Sequence, residues 1–202
     1  ANLVKDRGNN YVVSDEIYEE FVFDGRPFDS IVTLRPGMEK QTLMVNGCSK
    51  TYSMTGWRIG WTLGPPEVIT AMSNMQSQTT ANPNSIAQKA SVEALTGPQD
   101  DVATMRAAFQ ERRDVICDLL DGIPEVTYPR PQGAFYVFPS FAGHFGRTLG
   151  GHTIRNGQDL ATYLLESVKV AVVPGDASGG PNCVRLSFAT SMENIEEGLK
   201  RI

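Results

Sequence analysis

Gly47-Cys-Ser-Lys-Thr-Tyr-Ser-Met-Thr-Gly-Trp-Arg-Ile-Gly60 decides how the rest of this sequence is read. The apolar run before it, Thr42-Leu-Met-Val-Asn46, has the length and character of a buried strand. Lys50 therefore sits just past a strand end, in a turn of small residues, with Arg58 downstream between Gly56 and Gly60. Strand ends are where α/β proteins gather ligands and chemistry. A lysine held against the protein near another cation loses proton affinity, and its neutral amine can attack a carbonyl near neutral pH. Ser49, the backbone amides of the turn and the Arg58 fork form a donor set suited to an anion such as phosphate. A lone lysine or arginine in a loop is most often an ordinary surface charge. Their conjunction in one short segment points to a site.

Working outward, Tyr11-Val-Val-Ser14 reads as another buried strand, ending in the polar cluster Ser14-Asp15-Glu16. A third strand, Ile59-Gly-Trp-Thr-Leu-Gly64, is closed by Pro65-Pro66. Helices are predicted over 67–76, with Val68, Met72 and Met75 on one face, and over 85–95. The longest helix is predicted over 100–121, with an apolar stripe of Val102, Met105, Phe109, Val115, Ile116, Leu119 and Leu120, stopped by Gly122-Ile-Pro124. Beyond it come short strands, Val126-Thr-Tyr128, Ala134-Phe-Tyr-Val-Phe138, Val170-Ala-Val-Val173 and Val184-Arg-Leu-Ser-Phe188. Helical segments over 158–168 and 193–202 are interleaved, and 145–156 reads as a loop. The change of texture places a boundary near 98–100, between half of an open α/β sheet and a compact α+β domain. Ala1 to Gly8 reads as a helix tail entered in mid-helix, so the sequence is expected to be a fragment.

The 202 residues carry a net charge of −5, and 41% of them are hydrophobic, the composition of a soluble globular protein able to bury a core. No basic run stands out, which argues against nucleic acid as a partner; Arg106 to Arg113 alternates with acids and apolar residues like a solvated helix face. No apolar run approaches the roughly 18 residues that would span a bilayer. Cys48, Cys117 and Cys183 are widely separated with no CxxC spacing, so they read as reduced thiols of a cytoplasmic protein. His144 and His152 have no acidic or cysteine ligands spaced around them, and no metal site is expected.

The 47–60 segment resembles the Schiff-base lysine signature of class I/II aminotransferases, small-x-Ser-Lys-x-x-Ser-Met-x-Gly-x-Arg-Ile-Gly, at every constrained position. The resemblance implies pyridoxal 5'-phosphate as cofactor, held by Lys50 as a Schiff base, with Lys50 later moving the substrate's α-proton and with Ser49 and Arg58 on the phosphate. Val12-Val-Ser-Asp-Glu-Ile-Tyr18 is similar to the family strand that ends in an Asp and then a Tyr. Asp15 would accept the pyridinium N–H and Tyr18 would hydrogen-bond the phenolic oxygen. Taken alone, an Asp-Glu pair at a strand end is more often a solvated turn or helix cap.

Val184-Arg-Leu-Ser-Phe-Ala-Thr-Ser191 resembles the family strand whose arginine grips the substrate, so Arg185 would pair with the α-carboxylate. An arginine within an apolar strand is costly unless paired, which by itself calls for an anion. Pro131-Gln-Gly-Ala-Phe-Tyr136 matches a segment lining the substrate side, although core packing is the plainer role for Phe135 and Tyr136, as for Trp57 and Trp61. Ser178 departs from the pattern, standing in the turn before the arginine strand where an aromatic is usual.

The implied fold is α/β, the C-terminal part of the aspartate aminotransferase-like, pyridoxal-phosphate-dependent transferase fold. Residues 1–98 would be part of the large domain with half of its mixed sheet, and 99–202 the small α+β domain. Family chains also carry an N-terminal half with a phosphate-binding loop, a ring stacked on the pyridine and an Asn to the phenolic oxygen. They form homodimers in which a neighbour's tyrosine reaches the phosphate. This chain alone is therefore expected to be inactive. The full enzyme would move an amino group between an L-amino acid, aspartate-like or aromatic/aliphatic, and a 2-oxo acid. The same motifs serve carbon–sulfur lyases and ring-closing synthases. A cofactor-free Schiff-base lyase of the aldolase kind and a non-catalytic binding module are the readings from other classes.

Overall fold

Three short apolar runs, Val12–Asp15 (β1), Thr42–Gly47 (β2) and Gly60–Leu63 (β3), assemble into one mixed sheet in the order β1-β2-β3. The computed structural model describes Val4 and residues 10–202, so the helix tail read over residues 1–8 lies, Val4 apart, outside the described residues. β1 runs parallel to β2, with Asp15 opposite Val45, and β3 runs antiparallel to β2, with Gly60 opposite Gly47. A parallel pair needs a long connection. Here residues 16–41 supply it, containing the helix Ile31–Leu34 (α1) and a 3-10 turn at Met38–Lys40, neither of which periodicity over so few residues could show. Phe21, Phe23 and Met38 on this connection are fully buried.

The chain divides into two compact units, Ala1–Thr104 and Met105–Ile202. In the first, helices Pro66–Thr79 (α2) and Ser85–Thr96 (α3) follow the sheet. Pro66 opens α2, where a missing N–H costs nothing, and the Asn84 side chain caps α3 by accepting from the amides of Ile86 and Ala87. The expected face of α2 is not covered by described residues: α2 has no buried residue, and Met75 is 72% exposed. Val13 and Leu63 on the sheet are also exposed, and so is Trp57, against the expectation that it packs.

The helix predicted over 100–121 is found as Asp100–Asp121 (α4), spanning the division between the units. Its second half buries Ile116, Cys117 and Leu120. Arg113, read as part of a solvated face, is instead the largest fully buried side chain, donating to the Pro131 carbonyl at 2.9 Å and pairing with Asp114 at 2.7 Å. Its guanidinium is buried because backbone and carboxylate partners replace water, information that helical spacing does not contain.

Tyr136–Val137 (β4), Val173–Pro174 (β7) and Val184–Ser187 (β8) form an antiparallel sheet in the order β4-β8-β7. The strand expected over 126–128 is reduced to a single bridge, Thr127 to Ser140. The expected loop over 145–156 holds a hairpin, Thr148–Leu149 (β5) with His152–Thr153 (β6). Gly150 and Gly151, both at positive φ, make its turn, the glycine pair that two-residue hairpins favour. Helix Gly157–Tyr163 (α5) runs into a π-helical segment, Leu164–Val168, and Met192–Arg201 (α6) ends the described chain with Ile195 and Leu199 buried. The turn at Ser178 is packed from elsewhere, since any β-carbon on Gly175 or Gly180 would strike the Phe138 ring.

Candidate active site

β1 and β2 are parallel and β3 antiparallel, so the C-terminal ends of β1 and β2 and the start of β3 share one edge of the sheet. Asp15 ends β1 and Tyr18 follows in its turn; Ser49 and Lys50 follow β2, and Arg58 precedes β3. All five therefore emerge at this edge. Asp15 is exposed and its carboxylate accepts the Ile17 amide at 3.2 Å, an Asx-type bond that turns the chain after the strand. The Lys50 ammonium lies 6.0 Å from the centre of the Tyr18 ring, at the limit of cation–π range.

The lysine turn is fixed by backbone. Tyr52 N–H donates to the Cys48 carbonyl at 3.3 Å and Ser53 N–H to the Lys50 carbonyl at 3.1 Å, while Cys48 is fully buried. Glycine is required where the turn begins, because a β-carbon on Gly47 would lie 2.8 Å from the Ile59 carbonyl oxygen. Arg58 adopts the left-handed conformation, φ 54°, and its Nη1 donates to the Thr55 carbonyl at 2.9 Å. With Gly56, Trp57, Asn84 and Ile86 it lines a pocket of about 750 Å³.

Two carboxylates lie behind this edge: Glu16, which the sequence shows only as part of a polar cluster at the strand end, and Glu19, which no motif marks. Glu16 is buried and accepts from the hydroxyls of Ser14 at 3.0 Å and Ser30 at 2.8 Å. Glu19 accepts from the Asn46 side-chain amide, whose oxygen in turn accepts the Gly47 N–H at 2.7 Å. Burial raises the Glu19 carboxyl above its usual value, the Asn46 bond opposing and Glu20 and Glu16 adding to the rise. Burial likewise raises the Tyr52 phenol, helped by Glu20. Asn46 was legible only as the last residue of a strand, and no local pattern links it to Glu19.

Arg185 belongs to the second unit. It stands opposite Val173 on the exposed face of β8, between buried Val184 and Leu186, with its guanidinium 4.6 Å from the centre of the Tyr136 ring. Strand alternation thus puts it in solvent over an aromatic face, and the expected burial cost that called for an anion does not arise. Phe135 stacks on Phe109 at 5.3 Å, while Ala134 before it takes a left-handed φ of 58°. His144 accepts from Arg147 at Nδ1, so its proton is on Nε2, donated to the Pro124 carbonyl at 2.8 Å. His152 packs against Tyr163.

Taken together, the sheet edge offers a carboxylate acceptor and a phenol, an amine, a hydroxyl and a guanidinium, a set that could hold a ring N–H, a phenolic oxygen, an aldehyde and a phosphate. The chain is similar to the crystal structure of aspartate aminotransferase from Rhizobium meliloti, with TM-score 0.95 and 43% identity, covering 99% of this chain and 50% of that one. It is similar also to aromatic aminotransferase from Pyrococcus horikoshii, with TM-score 0.89 and 34% identity over 99% of this chain and 52% of that one. The fold is that of the fold type I, pyridoxal-phosphate-dependent transferases.

The profile of the aminotransferase class I and II family matches residues 1–202, and the chain belongs to that family. Aspartate/prephenate aminotransferase of Cereibacter sphaeroides is 48% identical over 193 residues, covering 95% of this chain and 48% of that protein. Aspartate aminotransferase of Geobacillus stearothermophilus is 46% identical over 191 residues, with 95% and 48% covered. The chain thus spans about half the length of the curated relatives it matches. No helix among the described residues is long and apolar enough to cross a membrane.

Proposed function

We propose that the protein containing this chain is an aminotransferase that moves an amino group between an L-amino acid, aspartate-like or aromatic/aliphatic, and a 2-oxo acid, with pyridoxal 5'-phosphate as cofactor. The observation that carries the reading is the gathering of Asp15, Tyr18, Ser49, Lys50 and Arg58 at one edge of a three-stranded sheet. Relatives named aspartate and aspartate/prephenate aminotransferases support the reaction class.

Pyridoxal phosphate, when bound, supplies an aldehyde and an electron-accepting ring. The chain's own residues do the rest. Lys50 would hold the aldehyde through its amine and would carry the proton of the substrate's α-carbon. Asp15 would keep a proton on the ring nitrogen, since a carboxylate beside a pyridinium favours the charged form. Tyr18 would donate to the phenolic oxygen. Ser49 and the Arg58 fork would hold the phosphate. Arg185, its guanidinium 4.6 Å from the centre of the Tyr136 ring, would receive the substrate α-carboxylate.

We assign residues 1–98 to the large, cofactor-binding domain and 99–202 to the small domain. The whole enzyme acts as a homodimer in the cytoplasm, a placement supported by three cysteines that are all unpaired. The isolated chain is expected to be inactive.

The test is the visible spectrum of the whole protein with added pyridoxal phosphate, and its transamination of aspartate with 2-oxoglutarate, before and after Lys50→Ala. Loss of both the absorption band and the activity is expected. Unchanged transamination in the variant sinks the assignment. Release of ammonia without an amino acceptor would move the reaction to the lyases, and cleavage without added cofactor to the aldolase kind.

A further inference from the structure

The turns after β1 and after β2 carry the proposed cofactor residues, yet the ladder between the two strands ends at Asp15 and Val45, before either turn begins. One backbone bond, from the Glu16 amide to the Val45 carbonyl at 2.9 Å, extends the pairing. Beyond it a hydrogen-bonded pair of side chains also crosses between the turns. Asn46 is 5% exposed, and its amide nitrogen donates to Glu19, the residue after Tyr18. Its oxygen accepts the amide of Gly47, where the lysine turn starts.

We infer that the Glu19–Asn46 pair is a positioning strap that fixes the Lys50 turn relative to the Tyr18 turn. The inference rests on the cofactor reading above and adds two residues to it, neither of which need touch cofactor or substrate. The geometry leaves the strap little slack. Asn46 uses both ends of one planar amide, so a shift of Glu19 moves the acceptor of the Gly47 N–H. Gly47 itself is pinned, because even a methyl group there would meet the Ile59 carbonyl oxygen at 2.8 Å and the Gly60 Cα at 3.0 Å. A displacement of Asn46 is therefore passed forward, through Gly47 and Cys48, to Ser49 and Lys50. The carboxyl's upward shift agrees with a group withdrawn from water by its neighbours and not a solvated surface charge.

The strap is tested with Glu19→Ala, Asn46→Ala and Glu19→Gln, the last keeping an acceptor for the Asn46 amide. Two quantities are read in the folded protein, with circular dichroism confirming that each variant folds. The first is hydrogen exchange at the Gly47 amide. The second is the share of borohydride-trapped pyridoxal phosphate found on Lys50 compared with Lys40, Lys89, Lys169 and Lys200, by peptide mass. Glu19→Ala and Asn46→Ala are expected to speed Gly47 exchange about tenfold and to lower the Lys50 share about fivefold. Glu19→Gln stays within about twofold of the parent in both.

Parent-like exchange in Glu19→Ala overturns the strap. So does faster exchange that leaves the Lys50 share unchanged, because the lysine is then positioned by other means. A merely structural weakening would lower thermal stability in Glu19→Ala without the selective loss at Lys50, and would also overturn it. If Lys50 in the parent is labelled no more than the other lysines, the cofactor reading has failed before any variant is examined.

Discussion

Gly47→Ala is the sharpest test of how the lysine turn is built. The residue's backbone is not left-handed, so alanine meets no conformational penalty there, and the whole effect is steric. The new β-carbon would lie 2.8 Å from the Ile59 carbonyl oxygen and 3.0 Å from the Gly60 Cα, both backbone atoms of the facing strand entry. Ordinary contact needs roughly half an ångström more, and β2 and β3 are hydrogen-bonded there, so the strain falls on the ladder. Overpacking of this kind costs about 1–3 kcal/mol, offset by about 0.4–1 kcal/mol because alanine restricts the unfolded chain. The net expectation is a loss of about 1–2 kcal/mol, seen as a fall of about 0.5–1 M in the urea midpoint. The assay is tryptophan fluorescence, since both tryptophans, Trp57 and Trp61, report on the first unit. Gly56→Ala is the control: nothing lies within 4 Å of its added carbon, so it should be neutral or slightly stabilising. Equal midpoints for the two variants would refute the claim that close approach of backbone is why glycine stands at 47.

Three further outcomes follow from other parts of the molecule. Arg113→Ala removes a buried guanidinium and its bond to the Pro131 carbonyl while leaving Asp114 paired with Arg130, and should cost about 3 kcal/mol; a loss under about 1 kcal/mol by circular dichroism melting would contradict its burial. Gly198→Ala, in the middle of α6 with open space around the added carbon, should stabilise by up to about 1 kcal/mol, checked by the same melt. Glu19 binds its proton more tightly folded than unfolded, so it lowers stability as pH rises from its usual value near 4.5 through the higher folded value. Glu19→Gln should therefore gain on the parent across that window, and urea midpoints that differ equally at every pH would contradict the shift.

Local pattern alone accounts for much of the architecture. The turn from Gly47 to Gly60, the three strands around it and the helices over 85–95 and 100–121 could be read because periodicity, glycine and proline record local backbone geometry. So could membership in the family, since a fourteen-residue pattern about Lys50 is specific. Where a side chain finds its partner is not a local property, and it follows only from how the chain folds. Arg113 reads as solvated and is buried, because the Pro131 carbonyl comes to it from beyond the end of its helix. Arg185 reads as embedded in an apolar strand and is exposed, because alternation sends every second residue of β8 outward and Tyr136 lies on the same side. Asn46 and Glu19 meet only because β1 and β2 are parallel neighbours. Hydrogen bonds and burial depend on which chain segments fold against each other, and no window of sequence around one residue contains the other.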